Sequence, residues 1–130
     1  MRPAFAAALF LLLTACAGTP PPSATASRPF LVFFQEWSGA IDDSALVTVA
    51  AAAERARAMP AARVVITAFA DPGGSAEANA DITRLRARLI SDRLESLGVA
   101  PARIDRRAMG AVAPIGGPQE SRRAEIVIAP

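Results

Sequence analysis

The sequence predicts an α/β domain in which one mixed sheet is covered by two helices, in the order β-α-β-α-β-β. Two observations carry this prediction. Short apolar runs rich in β-branched or aromatic residues alternate with longer segments rich in Ala and Arg. The longer segments have helical spacing of apolar residues, and Pro or Gly separates them from the short runs. Strands alternating with helices are typical of one sheet with helices packed on it.

The first strand and the first helix are predicted between residues 30 and 60. The apolar and aromatic run from Phe30 to Phe34 is typical of a buried strand. Asp42, Asp43 and Ser44 offer side-chain oxygens that can cap a helix N-terminus. An Ala-rich segment follows them and reaches about residue 58, and Pro60 then ends the helix.

The second strand and the second helix follow after Pro60. The β-branched run over residues 63–69 predicts a strand. The sequence D-P-G-G, which begins at Asp71, predicts a turn because Gly accepts positive φ angles. A helix is predicted over residues 77–97, and Gly98 is the residue expected just after its end. Its apolar residues at near-helical spacing predict the core face: Ile82, Leu85, Leu89, Leu94 and Leu97.

The last thirty or so residues predict two more strands with a loop between them. Residues 103–109 are polar enough to indicate a strand that is partly exposed. Residues 110–118 are rich in Gly and Pro and predict a loop. Residues 123–128 alternate between apolar and polar side chains, which predicts the closing strand.

The N-terminus predicts export rather than part of the fold. Arg2 precedes the apolar run 5–13, which is shorter than the ~20 residues that a membrane span needs. Residues 1–15 are therefore interpreted as a signal peptide. The sequence L-T-A-C, which ends at Cys16, resembles the bacterial lipobox. This resemblance implies that Cys16 is lipidated, with acyl chains such as palmitate, and Ala17 after it implies the outer membrane. The alternative is an ordinary signal peptide followed by an incidental Cys.

A tether is predicted between Cys16 and the folded domain. Residues 17–29 read A-G-T-P-P-P-S-A-T-A-S-R-P, without apolar periodicity. Such a composition is typical of an extended segment with polyproline II character. The predicted division of the chain is therefore a signal peptide over residues 1–15, the lipidated Cys and tether over residues 16–29, and a domain over residues 30–130.

Composition argues against several classes of function. The chain has no His and one Cys, which excludes His-based acid–base catalysis, zinc sites of the usual kind and an internal disulfide. All 14 basic residues are Arg, and 12 acidic residues nearly balance them. Aromatic residues make up 5% and Tyr is absent, which disfavours a stacking platform for nucleic acid. We therefore expect a chain that is not an enzyme, with no cofactor, no metal and no nucleic-acid partner.

The second strand, turn and helix resemble the OmpA-like C-terminal domain family. Its pattern G-H-T-D-x-x-G, followed by N-x-x-L-S-x-x-R-A, is matched in spacing at Asp71, Asn79, Thr83 and Arg86. The sequence R-R-A-E-I from Arg122 is similar to the closing N-R-R-V-E-I. The resemblance covers about residues 30–128, and it implies an OmpA-like sandwich in the domain predicted over residues 30–130.

The resemblance also implies a function, which is non-covalent binding of peptidoglycan by a lipid-anchored outer-membrane protein whose domain faces the periplasm. In the family an Asp and an Arg hold the diaminopimelate of the stem peptide, and Asp71 and Arg86 match them. One acidic and one basic side chain suit a group that bears both an ammonium and a carboxylate. Asn79, Thr83 and Arg86 are spaced to form one polar stripe on the helix, and Arg122 is a further candidate.

Each candidate also has a plainer interpretation. Asp71 could be a turn residue, and Arg86 could be one more solvated Arg on its helix. Asn79 and Thr83 could be a cap and a polar residue of the first turn. Arg122 could line the ligand site or pair with a carboxylate on a neighbouring strand.

Several positions depart from the family pattern. Ala68, Phe69 and Ala70 stand where the family has Gly, His and Thr, and Gly73 stands where many members have Thr. Ser121 replaces the Asn before the paired Arg, and residues 35–37 (Q-E-W) stand where an acidic stretch that contains Asp is common. The changes at positions 69, 70, 73 and 121 each remove a group that could hydrogen-bond the turn or the ligand. An alternative function is therefore a degenerate domain that contacts envelope proteins without binding peptidoglycan.

Overall fold

The computed structural model describes residues 27–114 and 116–130, so the predicted signal peptide, Cys16 and most of the tether lie outside it. The predicted order of strands and helices is confirmed, with one short extra helix before the last strand. A 3-10 turn at Pro101–Arg103 precedes the third strand. The elements are β1 (Phe30–Phe33), α1 (Asp43–Ala58), β2 (Arg63–Ala70), α2 (Ala76–Ser96), β3 (Ile104–Ala111), α3 (Pro118–Ser121) and β4 (Arg123–Ala129).

The four strands form one mixed sheet in the order β1-β4-β2-β3. Strand β4 runs antiparallel to both of its neighbours, whereas β2 and β3 are parallel. Arg123, at the start of β4, is therefore paired with Phe33 at the end of β1. Next to it, Ala124 is paired with Ala68 near the end of β2. The segments that follow β1 and β2 and the segment that precedes β4 consequently meet at one end of the sheet.

The hydrophobic core lies between one face of the sheet and the two long helices. Alternate residues of β2 and β4 are buried, and the residues between them are only half-buried. Helix α1 packs on β1 and β4, whereas α2 packs on β2 and β3. Strand β3 lies at the sheet edge with much of its length exposed, as its polar sequence predicts. The largest core side chains are Val32, Phe34, Val49, Val64, Ile66, Ile90, Leu94, Val99, Ile126 and Ile128.

The N-termini of both long helices are capped by side chains from the preceding loops. Asp42 accepts a hydrogen bond from the backbone N–H of Ala45 at 2.8 Å, which confirms the predicted cap of α1. Ser75 accepts one from the N–H of Ala78 at 3.1 Å. Helix α2 therefore begins one residue before the predicted start. No helix among the described residues combines the length and the apolar character that crossing a membrane requires.

Arg103, which is distant from α1 in sequence, hydrogen-bonds backbone carbonyls at and just after the C-terminal end of α1. Its guanidinium donates hydrogen bonds to the carbonyls of Ala56, Met59 and Ala62 at 2.7–2.8 Å. Ala56 and Met59 lie at the end of α1, where backbone acceptors lack partners within the helix, and Ala62 directly precedes β2. One side chain thus joins the end of α1 to the start of β3.

The buried face of α2 differs from the predicted apolar face. Leu85 is 43% exposed and Leu89 is half-buried, although both were expected in the core. These two side chains instead lie against Gly39 in the loop after β1. The first half of α2 covers a region where backbone groups need hydrogen-bond partners, so polar residues face inward there. The buried residues of α2 are Asn79, Thr83, Arg86, Ala87, Ile90, Ser91 and Leu94.

Candidate functional site

A narrow cleft lies where the chain segments meet at one end of the sheet. Glu36 and Trp37 come from the loop after β1, Asp71 follows β2, and Arg122 directly precedes β4. Helix α2 forms the remaining wall. The cleft holds about 10 Å³, roughly the space of one water molecule. It is lined by Glu36, Trp37, Ala70, Asp71, Asn79, Ile82, Arg86 and Arg122.

Asp71 and Arg122 form a largely buried ion pair at this cleft. Nη1 of Arg122 donates to Oδ2 of Asp71 at 3.0 Å, and the two side chains are 16% and 17% exposed. Nε of Arg122 donates to the carbonyl of Phe34 at 3.3 Å, and Oδ1 of Asp71 accepts the N–H of Gly73 at 3.0 Å. The hydrogen bond from Arg122 lowers the pKa of Asp71 against the opposing effect of burial. Asp71 is therefore ionised at neutral pH.

The ion pair decides between the interpretations of Arg122 that the sequence left open. Arg122 pairs with the carboxylate of the turn residue Asp71 and not with one on a neighbouring strand. Asp105 is bound by Arg63, and Glu125 is bound by Arg123. Arg122 thus both pairs with a carboxylate and lines the cleft.

Arg86 lies at the base of the cleft and is 1% exposed. Its Nε donates to the carbonyl of Ser38 at 2.9 Å, Nη1 to that of Phe69 at 3.2 Å, and Nη2 to that of Gln35 at 3.1 Å. The guanidinium carbon also lies 4.8 Å from the ring centroid of Phe34. Burial lowers the pKa of Arg86 to about 10, which leaves it charged at neutral pH.

The three carbonyls do not use all the donors of Arg86. A guanidinium has five N–H groups, and each terminal nitrogen bears two of them. One N–H on Nη1 and one on Nη2 therefore have no hydrogen-bond partner among the described residues. Arg86 is consequently both a structural residue, which holds the loop after β1, and a cation at the site.

Asn79 and Thr83 are buried and hydrogen-bond the backbone around the site. Nδ2 of Asn79 donates to the carbonyl of Gly73 at 2.8 Å and so fixes the turn that bears Asp71. Oγ1 of Thr83 donates to the carbonyl of Asn79 at 2.9 Å and accepts the N–H of Gly110 at 3.2 Å. Asn79 lines the cleft, whereas Thr83 lies behind it. Of the predicted site residues in the domain, the structure brings Asp71, Asn79, Arg86 and Arg122 together at the cleft.

A wider groove of about 480 Å³ lies on the other side of the Asp71–Arg122 pair. Ser121 is fully buried beside this groove, and its Oγ has no hydrogen-bond partner among the described residues. The ion pair thus separates a narrow cleft from a groove with Pro-rich walls. The groove is lined by Glu36, Asp71, Pro72, Gly73, Pro114, Gly116, Pro118, Ser121 and Arg122.

The other departures from the family pattern have separate structural settings. The guanidinium of Arg123 lies 4.4 Å from the ring centroid of Phe69, so an aromatic–cation contact occupies that position. Ala70 lines the cleft with a methyl group. A Cβ atom at Gly73 would lie 3.0 Å from Oδ1 of Asp71, so a larger residue there would crowd the carboxylate.

Trp37 is a site residue that sequence reasoning did not identify as a candidate. It is 50% exposed, and its φ angle of 48° lies in the left-handed region. A Cβ atom at Gly74 would lie 2.3 Å from Cη2 of the indole, so the ring occupies space that only Gly leaves open. The sequence signal that could have identified it is the presence of the only Trp in the chain next to Glu36 in a loop.

The assembled groups suit a ligand that bears both charges. The guanidinium groups of Arg86 and Arg122 and the carboxylate of Asp71 converge on the cleft, with the carboxylate of Glu36 at its exposed rim. Two cations and two anions leave the site nearly neutral overall, with the charges of opposite sign in separate places. Within the described residues, no three His, Cys, Asp or Glu side chains are grouped as a metal site would require.

Comparison with known proteins shows which family and which solved structures the chain is similar to. Residues 33–126 match the sequence profile of the OmpA family. The chain is 35% identical over 82 residues to the peptidoglycan-binding protein ArfA of Mycobacterium tuberculosis. This alignment covers 58% of the chain and 25% of ArfA, so the chain spans about a quarter of that relative's length.

Solved structures share the fold. The peptidoglycan-associated lipoprotein from Burkholderia pseudomallei superposes with a TM-score of 0.71 at 25% identity, over 83% of this chain and 95% of that one. The OmpA-like domain of FopA1 from Francisella tularensis superposes with a TM-score of 0.68 at 18% identity. That alignment covers 77% of this chain and 71% of the FopA1 chain.

Proposed function

Because the chain belongs to the OmpA family, we propose that it binds peptidoglycan non-covalently through the diaminopimelate of the stem peptide. The names of ArfA and of the Burkholderia pseudomallei protein, which describe peptidoglycan binding and association, support this proposal. The observation that carries it is the convergence of Asp71 with Arg86 and Arg122 on one cleft.

The charges of the cleft match those of the ligand. Diaminopimelate presents an ammonium and a carboxylate on one carbon atom. In the proposed complex the ammonium lies against Asp71, which is ionised because its pKa is lowered. The carboxylate takes the two remaining N–H groups of Arg86 or the outer N–H groups of Arg122. The ligand would thus replace the Asp71–Arg122 pair with two ion pairs, one between its ammonium and Asp71 and one between its carboxylate and an Arg. No buried charge would be left unpaired.

The binding of purified sacculi tests this proposal. Asp71→Asn removes the charge without changing the size of the side chain, and Arg122→Gln replaces the guanidinium with a shorter, neutral polar side chain. We expect each to weaken co-sedimentation with sacculi that contain diaminopimelate by at least tenfold, since truncating a buried charged contact costs about 2–5 kcal/mol.

Two other Arg residues of α2 provide matched controls for this experiment. Arg88 and Arg93 have exposed side chains, and neither lines the cleft. Arg88→Gln and Arg93→Gln remove one positive charge each and should leave sacculus binding almost unchanged. Equal losses in the three Arg variants would reduce the effect to general attraction, and absence of binding by the parent chain would contradict the proposal.

The proposal extends to the location of the protein. The lipobox-like sequence before Cys16 supports a lipid anchor, with acyl chains such as palmitate, in the outer membrane. The domain then faces the periplasm on the tether. Cys16→Ser should release the protein from the membrane fraction or leave the precursor uncut. A Ser variant that still floats with outer membranes as a band of mature size would contradict the anchor.

The second candidate function, contact with an envelope protein, is favoured by the uncovered face of the sheet. Leu31 and Phe33 of β1 are exposed there, next to Glu125 and Arg123 of β4. An apolar pair beside charged residues is a plausible surface for a protein partner. Crosslinking in envelope preparations, with Phe33→Ser as the variant, would detect such a partner even where sacculus binding is absent.

A further inference from the structure

We propose that Trp37 forms a sugar-binding shelf beside the cleft, so that the domain binds an N-acetylhexosamine of the glycan strand together with the stem peptide. This inference rests on the proposed function, since it takes peptidoglycan as the ligand. It adds a second subsite, on the side of Trp37 that faces away from the ion pair.

The first observation is that Trp37 is exposed and yet held in place. Half of its surface is open to solvent, and its backbone lies in the left-handed region at φ 48°. For a bulky residue this conformation is costly, and it persists where the surrounding structure imposes it. The far edge of the indole lies directly against Gly74 in the turn that bears Asp71. A large apolar ring fixed at a surface in this way is typical of a binding contact.

The second observation is a shallow hollow beside the indole, which shares two lining residues with the cleft. It measures about 480 Å³ and is formed by Trp37 and the exposed side of the first turns of α2. Trp37 and Ile82 line both the cleft and the hollow, so one ligand can occupy the two spaces. The hollow is lined by Trp37, Ala78, Asp81, Ile82 and Leu85.

The groups around the hollow match the chemistry of an acetylated sugar. A hexopyranose ring has an apolar face of C–H groups, which stacks on an indole, and a rim of hydroxyl groups. Ile82 and Leu85 offer apolar contacts for the acetyl methyl group. Asp81, which is paired with Arg84, offers carboxylate acceptors at the rim of the hollow. A few polar groups beside an aromatic wall are the usual composition of a small-ligand site.

The connectivity of peptidoglycan allows one ligand to reach both subsites. Two amino acids separate the diaminopimelate from the lactyl group of the sugar, which is about 7 Å or more of extended chain. The indole of Trp37 is the wall between the cleft and the hollow. A stem peptide whose diaminopimelate lies against Asp71 can therefore reach past the ring and place its sugar on the far side.

Calorimetric titration of the protein with two probes tests the shelf. The probes are a disaccharide tetrapeptide and the same tetrapeptide without sugar, both containing diaminopimelate. We expect the disaccharide form to bind about tenfold tighter to the parent protein, which corresponds to about 1.4 kcal/mol. Trp37→Ala should make the two affinities equal, Trp37→Phe should keep part of the difference, and Asp81→Asn should weaken the disaccharide form alone.

The control and the contrary outcomes separate this inference from the proposed function. Val47 is an exposed apolar residue on α1, and Val47→Ala should preserve the tenfold ratio. Equal affinities of the parent for both probes, or a ratio that survives Trp37→Ala, would overturn the shelf while the peptide site stands. Tight binding of the disaccharide form without any binding of the tetrapeptide would instead overturn the peptide site and support the shelf. Absence of binding by both probes would overturn both.

Discussion

Arg122 donates a 3.0 Å hydrogen bond to Asp71, a residue 51 positions earlier in the chain. The contact joins the turn after β2 to the segment that precedes β4, at the end of the sheet where the cleft lies. Both side chains are thus oriented and charged before any ligand arrives, which lowers the cost of ordering them on binding.

The ion pair makes the stability of the domain depend on acidic pH. The pKa of Asp71 is lowered in the folded state, below the value of about 3.9 of an unperturbed Asp. The pair therefore contributes its full stability above that pH and loses it as the pH falls through the folded pKa. Asp71→Asn should reduce the free energy of unfolding at pH 7 by about 1.5–3 kcal/mol. Urea titrations at several pH values should then show that the free energy of unfolding falls less in Asp71→Asn than in the parent as the pH is lowered.

The control for this experiment is an exposed carboxylate away from the cleft. Glu54 on α1 is exposed, and Glu54→Gln should follow the pH profile of the parent. If Asp71→Asn lost stability in acid as steeply as the parent, the pair would not be the source of the dependence.

Arg86 should stabilise the folded domain through its buried hydrogen bonds and not only through its charge. Its replacement removes one donor from each of the carbonyls of Gln35, Ser38 and Phe69. Arg86→Lys keeps the charge, but a single ammonium cannot reproduce the planar arrangement of donors. We expect a loss of at least about 3 kcal/mol in the free energy of unfolding, at roughly 1 kcal/mol or more for each buried carbonyl. Arg88→Lys, on the exposed side of α2, should change it by less than about 0.5 kcal/mol. A similar small change for Arg86→Lys would contradict the structural role.

The sequence was sufficient to predict the strand and helix order and to identify four of the residues that line the cleft. Local signals account for the strand and helix order, because caps, turns and alternation depend on residues close in sequence. The four cleft residues were identified through the resemblance to the OmpA-like pattern. The burial of Arg86 was not predictable, since two of its partners lie 48 and 51 residues away in the loop after β1. Trp37 was missed for a related reason: its exposed ring is held by Gly74, which is distant in sequence.

The same limitation explains the displaced core face of α2, and it leads to a stability prediction. Leu94 is fully buried, whereas Leu89 lies against the loop at Gly39 and is half-buried. Leu94→Ala should lower the free energy of unfolding by about 2–5 kcal/mol, because it leaves a cavity in the core. Leu89→Ala should cost clearly less. Urea unfolding curves with unchanged m values measure both losses directly. Equal losses would show that Leu89 belongs to the core, as the sequence predicts, and would contradict the structure.

The contact between Trp37 and Gly74 gives a prediction with a direct spectroscopic measurement. In Gly74→Ala the new methyl group would lie 2.3 Å from Cη2 of the indole, on a backbone with φ 78°. The ring must move, so the emission of Trp37, the only Trp in the chain, should shift and the domain should lose roughly 1 kcal/mol or more. Gly98 provides the control, because its φ is 91° but its nearest neighbour within reach of a Cβ is Arg57 at 3.6 Å. Gly98→Ala should destabilise the domain by a comparable strain and leave the emission unchanged. If the two variants gave the same emission spectrum, the indole would not be held against the turn that bears Asp71. The fixed orientation of Trp37 on which the proposed sugar-binding shelf relies would then be contradicted.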